Sequence, residues 1–198
     1  MLGDSFELKR KVFHIILGVI IVLLINFDIL EFWMALTLLL TGLVISFVSI
    51  KNSIPLIKWF LDQFDRPRHK GFPGKGVVAI MFSITLLILL YETSMLSKSI
   101  VLASLMIWVF GDSFTAIIGR EYGRIKHPLN NSRFIEGTVS GIVAGMLAAY
   151  IFVPLPAALM ASFIAITIES LELRLMKNPV DDNLLVPLIS AVILYAIL

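Results

Sequence analysis

Long apolar runs separated by short polar segments set the pattern of this chain. Seven runs read as helical spans: Val12–Phe27, Phe32–Ile50, Gly74–Tyr91, Ser99–Gly119, Gly137–Val153, Pro156–Leu173 and Leu184–Leu198. A helix crossing a bilayer needs about 20 mostly apolar residues at about 1.5 Å each. The first and last runs are short for this. Snorkelling of Lys9–Lys11 extends the first, and the last stands at the limit of crossing. Between the second and third runs, Ile54–Phe64 places Ile57, Phe60, Leu61 and Phe64 on one helical face, with Lys58 and Asp62 elsewhere. That is the pattern of an interfacial helix. Lys9-Arg10-Lys11 before the first run imitates a signal peptide, but Asn26–Glu31 contains no small-x-small cleavage pattern, so the run reads as a retained helix.

Composition agrees: 59% of residues are hydrophobic, 15% are charged, and the mean hydropathy is +0.97. Soluble domains carry about 25% charged residues, and a small globule has too little interior to hide this much apolar surface. Disorder is excluded by the same figures. With 12 Gly and no Cys, collagen, a disulfide scaffold and a Cys-based zinc domain are excluded. A net charge of +2 gives no support to a nucleic-acid partner, so the distribution of charge matters more than its sum. If the N-terminus is cytoplasmic, 15 of the 16 basic residues fall on that side, and only Lys98 lies outside. This is the positive-inside asymmetry. The predicted fold class is an all-α, polytopic integral membrane protein with about seven transmembrane helices and a cytoplasmic N-terminus, residues 1–198 forming a single membrane-embedded domain. On that side the Asn130-Asn131-Ser132 sequon carries no meaning. Gly137, Gly141 and Gly145 read as a close helix-packing stripe.

Acids are scarce enough for their positions to inform. Asp112 lies inside the fourth run, roughly 20 Å from its outer start at about 1.5 Å per residue. Glu169 and Glu172 lie at similar depth in the sixth, Glu136 opens the fifth, and Asp181-Asp182-Asn183 precede the seventh. An ionisable group in a span costs about 2.5–3.5 kcal/mol at the helix centre and is a functional-site hypothesis. Six such acids at one depth, facing many cations, point to a site. His14 joins them on the stripe Arg10, His14, Gly18. The segment His69–Gly76 and the stretch Gly119-Arg120-Glu121-Tyr122-Gly123-Arg124 resemble anion receivers, since glycines let backbone N–H groups approach an oxyanion and a helix N-terminus favours negative charge. Val77-Val78 after Gly76 rule out a Walker P-loop. Carboxylates for Mg²⁺ with cations for phosphates suit phosphoryl or nucleotidyl transfer, here with a soluble nucleotide on one side and a lipid head group on the other.

In these motifs the chain resembles the CTP-dependent lipid kinases (dolichol kinase, phytol kinase and yeast-type diacylglycerol kinase), a group related to the phosphatidate cytidylyltransferases. The family's RKxxHxxxG corresponds to Arg10-Lys11, His14 and Gly18, and its PGKG-like turn to Pro73–Gly76. GDxxAxxxGxxxG, a basic residue and EG correspond to Gly111-Asp112, Thr115-Ala116, Gly119, Gly123, Arg133 and Glu136-Gly137. The ES pair and DDNxxxP correspond to Glu169-Ser170 and Asp181-Asp182-Asn183 with Pro187. The family often reads Lys-Ser/Thr-x-Glu-Gly where this chain has Arg133-Phe134-Ile135-Glu136-Gly137, which keeps the charge and loses the hydroxyl.

The resemblance implies a catalytic membrane domain that moves the γ-phosphate of CTP onto a polyprenol- or dolichol-type alcohol with Mg²⁺ or another divalent metal. Asp112, Asp181 and Asp182 are then candidates for the metal, with Glu136 second in rank. Arg10, Lys11, Lys75, Arg120, Arg124 and Arg133, with Gly111, Gly119 and Gly123, are candidates for nucleotide and phosphate. Either His14 or Glu169 accepts the lipid hydroxyl proton. Two alternatives stand beside this reading: a CDP-lipid synthase in which a lipid phosphate attacks CTP, and a secondary transporter using the acids as an ion path. The expected location is a prokaryotic plasma membrane, with the active site facing the cytoplasm and the bilayer as the lipid source.

Overall fold

The computed structural model describes residues 2–51, 55–64, 72–128, 130–171, 174–175 and 178–198. Over these it is mostly helical: α1 (Leu2–Asn26), α2 (Phe32–Lys51), α3 (Pro55–Phe64), α4 (Lys75–Glu92), α5 (Lys98–Met106), α6 (Ser113–Glu121), α7 (Ile135–Ala149), α8 (Leu155–Ser170) and α9 (Asp182–Ile197). Every apolar run became a helix. α8 stops at Ser170, short of the expected Leu173.

Two features depart from the all-helical expectation. Antiparallel hairpins join β1 (Lys126–His127) to β2 (Asn130–Phe134), and β3 (Arg174–Leu175) to β4 (Asn178–Pro179). Both lie in polar connections, where backbone groups leaving a helix need new partners. Strands this short leave no periodic signal. The second departure lies between α5 and α6, where Ile107–Asp112 form a π-helical turn. The fourth run is thus one 24-residue path, Lys98–Glu121, widened at its middle. Such turns insert an extra residue and recur at functional sites.

Among the described residues, three helices are long and apolar enough to cross a membrane: Phe32–Ile50, Lys75–Glu92 and Lys98–Glu121. Ile135–Ala149, Leu155–Ser170 and Asp182–Ile197 are shorter apolar helices. α1 has 25 residues, but Lys9, Arg10 and Lys11 charge its first half.

α5 lies at the centre of the bundle. Ile100 through Met106 are buried, as are Ile107, Trp108 and Val109 in the π turn. α1, α7 and α9 pack against it, with α4 touching its side. α2 lies against α4 at the edge and leaves Trp33 71% and Phe47 63% exposed. Apolar side chains this open along helix faces suit a lipid environment, since soluble monomers rarely expose contiguous apolar patches. Away from Asp112, Lys98 Nζ donates to Asp28 Oδ2 at 2.6 Å and to Asn26 O at 3.2 Å. Phe32 N donates to Glu92 Oε1 at 2.7 Å. These bonds tie the ends of α1, α2, α4 and α5 together.

Small residues set the spacing of α6, α7 and α8. A Cβ on Gly137 would lie 2.5 Å from Thr115 O and 2.7 Å from the Gly119 Cα, and one on Gly145 would lie 2.6 Å from Ser162 Oγ. A Cβ on Gly141 would overlap Thr115 Oγ1. The Gly137-Gly141-Gly145 stripe is a close-packing surface, as its spacing predicted.

Candidate active site

Three carboxylates meet from three elements. Asp112 ends the π turn, Glu169 stands in the last turn of α8, and Asp182 opens α9. Oxygens from all three lie within 4.8 Å of one another, and Asp112 and Glu169 are buried. Asp112 Oδ1 and both Glu169 oxygens have no hydrogen-bond partner among the described residues. Buried polar atoms of this kind are rare and signal a ligand, water or ion. Grouped hard carboxylate oxygens, three of them without a hydrogen-bond donor among the described residues, fit a Mg²⁺-type cation, which takes one or two carboxylates and fills its remaining positions with water and phosphate oxygen.

Cations face this group from two directions. Lys11 is fully buried, and its Nζ lies 2.5 Å from Asp112 Oδ2. Arg133 Nη2 approaches Glu169 Oε1 at 2.8 Å, as a charge contact without hydrogen-bond alignment. His14 Nε2 is 3.8 Å from Asp112 Oδ2 and has no hydrogen-bond partner among the described residues. Its ring sits edge-on to Trp108, centroids 4.3 Å apart.

The stripe on α1 is therefore Lys11, His14 and Gly18, in place of Arg10, His14 and Gly18. At about 100° per residue, Lys11 is offset about 20° from Gly18 and Arg10 about 80°. Gly18 faces the π turn, since a Cβ there would overlap Val109. Arg10 turns aside to Glu7, Nη2 to Oε1 at 2.6 Å.

Asn183 binds the pieces together. Its Oδ1 accepts from Trp108 Nε1 at 2.9 Å, and its Nδ2 donates to Asp181 Oδ1 at 2.9 Å. Asn183 O accepts from Ser83 Oγ of α4 at 3.1 Å. That carbonyl needs an outside donor because Pro187, one helical turn on, has no N–H to give it. A Cβ on Gly76 would lie 2.9 Å from Asn183 Nδ2, so Gly76 admits α4 to this contact. The DDNxxxP pattern is in this way a local device. It frees a carbonyl, and α4 fills it.

Asp181 does not join the carboxylate group. It caps α9, its side chain accepting from Asn183 N. Burial, then the Asp182 charge, push its carboxyl above the ordinary value, while Asn183 N–H and Lys75 oppose them. Lys75 begins α4 behind Gly74, whose φ of 72° is left-handed and suits glycine. Glu136 also stands apart from the three acids. It accepts from Arg124 N at 3.1 Å and Ile125 N at 3.0 Å, holding the turn after α6. Its own backbone N–H first, then those of Ile125 and Arg124, hold its carboxyl below the usual range.

Arg120 and Arg124 are exposed, the first in the last turn of α6 and the second beyond it. Gly111, Gly119 and Gly123 face protein. A Cβ on Gly111 would lie 2.5 Å from Ile166 Cδ1, one on Gly119 3.3 Å from the Gly137 Cα, and one on Gly123 would overlap Gly119 O. Close helix and turn packing accounts for these three glycines. Glu172 and His69–Gly71 lie outside the described residues.

Sequence reasoning missed Trp108, Ser83 and the π turn. Trp108 stands one turn before Asp112, and a helical projection places them on neighbouring faces. Nothing in the sequence marks the π turn.

The chain is similar over nearly its whole length to an uncharacterized protein of Methanocaldococcus jannaschii, 28% identical over 193 residues, which is 95% of this chain and 92% of that protein. It is also 30% identical over 135 residues to a Glycine max protein named "Probable phytol kinase 1, chloroplastic". That stretch is 61% of this chain and 44% of the relative, so the match spans less than half of the relative's length. The likeness supports a distant relation to a lipid kinase. No protein-family model matches the chain. No solved structure matches it.

Proposed function

We propose that this protein is a CTP-dependent lipid-alcohol kinase that moves the γ-phosphoryl group onto a long-chain alcohol of the polyprenol, dolichol or phytol type. The observation carrying this reading is the convergence of Asp112, Glu169 and Asp182 within 4.8 Å, beside Lys11, Arg133 and His14, in an apolar helical bundle. The distant likeness to a phytol kinase supports the substrate class. In this reading the helices cross the bilayer seven times with the N-terminus in the cytoplasm, and the acids face the cytoplasmic side.

Asp112, Glu169 and Asp182 would hold Mg²⁺, which supplies charge neutralisation for the triphosphate when bound. Lys11 and Arg133 place positive charge against Asp112 and Glu169, and Lys75, with the exposed Arg120 and Arg124, receives phosphate oxygens. The alcohol oxygen attacks the γ-phosphorus as the bond to the bridging oxygen breaks, and CDP leaves. His14 Nε2 takes the hydroxyl proton. It suits this role because it has no hydrogen-bond partner among the described residues, whereas Glu169 already meets Arg133. Such transfers are accelerated mainly by positioning and charge stabilisation.

The test is a panel of lipid alcohols with γ-labelled CTP, ATP, GTP and UTP and the purified protein. Label in the lipid, highest with CTP, supports the reading. Label released as pyrophosphate indicates a CDP-lipid synthase instead.

A further inference from the structure

A cavity of about 440 Å³ lies between α2, α3, α4 and the turn before α4. It is lined by Gly42, Ser46 and Ser49 of α2, Ile57 of α3, and Val77 and Val78 of α4. The volume falls within the range of about 300–1,000 Å³ typical of small-molecule sites.

We propose that this cavity receives the hydrocarbon chain of the alcohol substrate, a refinement that rests on the lipid-kinase reading. Three observations support it. First, the cavity and the acid group share the start of α4: Val77 and Val78 line the cavity, while Gly76 abuts Asn183. Ser46 Oγ donates to Pro73 O at 2.5 Å, fixing α2 to that same turn. Second, Ser49 Oγ is buried and has no hydrogen-bond partner among the described residues. A buried hydroxyl left unpaired in a cavity wall signals an occupant, and the apolar lining suits a hydrocarbon chain. Third, a Cβ on Gly42 would meet nothing within 4 Å among the described residues. A glycine in a helix interior costs roughly 0.5–1 kcal/mol relative to Ala, and no packing contact of its own accounts for this one. It leaves width for a chain.

The experiment uses the full chain in phospholipid nanodiscs and a phytol analogue carrying a diazirine midway along its chain. Photolabelling is mapped by mass spectrometry, and γ-phosphoryl transfer from CTP is followed in parallel. Label is expected on α2 and α4 peptides containing Ser46–Ser49 and Val77–Val78. Unlabelled phytol should chase it, and added phospholipid should not. Gly42→Phe places a ring in this space and is expected to raise the half-saturating probe concentration about tenfold, whereas Gly42→Ala, which adds only a Cβ, retains labelling. Equal displacement by phospholipid would identify the occupant as bulk lipid and overturn the proposal. Label elsewhere in a chain that does transfer phosphate would overturn it too, leaving the kinase reading intact. Label in the cavity without any transfer would uphold the alcohol site and refute only the reaction.

Discussion

The most consequential single residue is Lys11. A lysine with no exposed surface, bonded to a buried aspartate, is tolerated only as a pair, because removing one partner strands the other charge at a cost of about 3–5 kcal/mol. Lys11→Met is therefore expected to lower stability in detergent by that order. Lys11→Met with Asp112→Leu should recover much of the loss, and a double-mutant cycle from thermal or denaturant unfolding checks the coupling. In the sequence Arg10, Lys11 and His14 read as one cluster, of which Lys11 and His14 reach Asp112 in the structure, and the acids were legible as rare charges in apolar runs. Which cation faces Asp112 was not legible. The difference is about 100° of helix rotation, and it depends on the neighbouring helix. Asp181 and Asp182 are likewise adjacent acids in sequence, yet one caps α9, held by Asn183 Nδ2, and the other joins the carboxylate group.

Helix spacing carries the next set of constraints. At the α6–α7 crossing, Gly141→Ala would press a methyl onto Thr115 Oγ1 and Gly111 O, and overpacking of this kind costs about 1–3 kcal/mol. An earlier unfolding transition checks this, with Gly42→Ala, which meets open space, unchanged or slightly later. The turn after α6 depends on Glu136. Its carboxyl lies below its ordinary value, so the contribution is complete above the unfolded carboxyl pKa and fades as pH falls through the lowered folded value. Glu136→Ala is expected to speed amide exchange at Arg124 and Ile125 at neutral pH, read by hydrogen–deuterium exchange, with Glu136→Gln intermediate. The helices themselves were legible because uninterrupted apolar runs dominate the chain. The π turn was not, since one extra residue in a buried helix changes no local preference, and the two hairpins are too short to show a period.

Over the whole molecule, sidedness is the main expectation: 15 of 16 basic residues fall on one side of the seven-span reading. The chain has no cysteine, so single-cysteine variants report directly on topology. In sealed inverted and right-side-out vesicles, a membrane-impermeant maleimide should label Ser97→Cys from the outer face and Asn131→Cys from the cytoplasmic face. Labelling of both from one face would refute the span count. The same arrangement would give the proposed reaction its logic, because a soluble nucleotide and a bilayer alcohol can meet only at a membrane edge. The central claim is that the acids gathered there by the π turn, α8 and α9 perform phosphoryl transfer. Its most direct test is the transfer of label from γ-labelled CTP to phytol by purified wild-type and Asp112→Asn proteins of matched size-exclusion behaviour. The account predicts labelled lipid phosphate from the wild type and at least a hundredfold less (about 2.7 kcal/mol in barrier) from the variant; full activity in Asp112→Asn would contradict it.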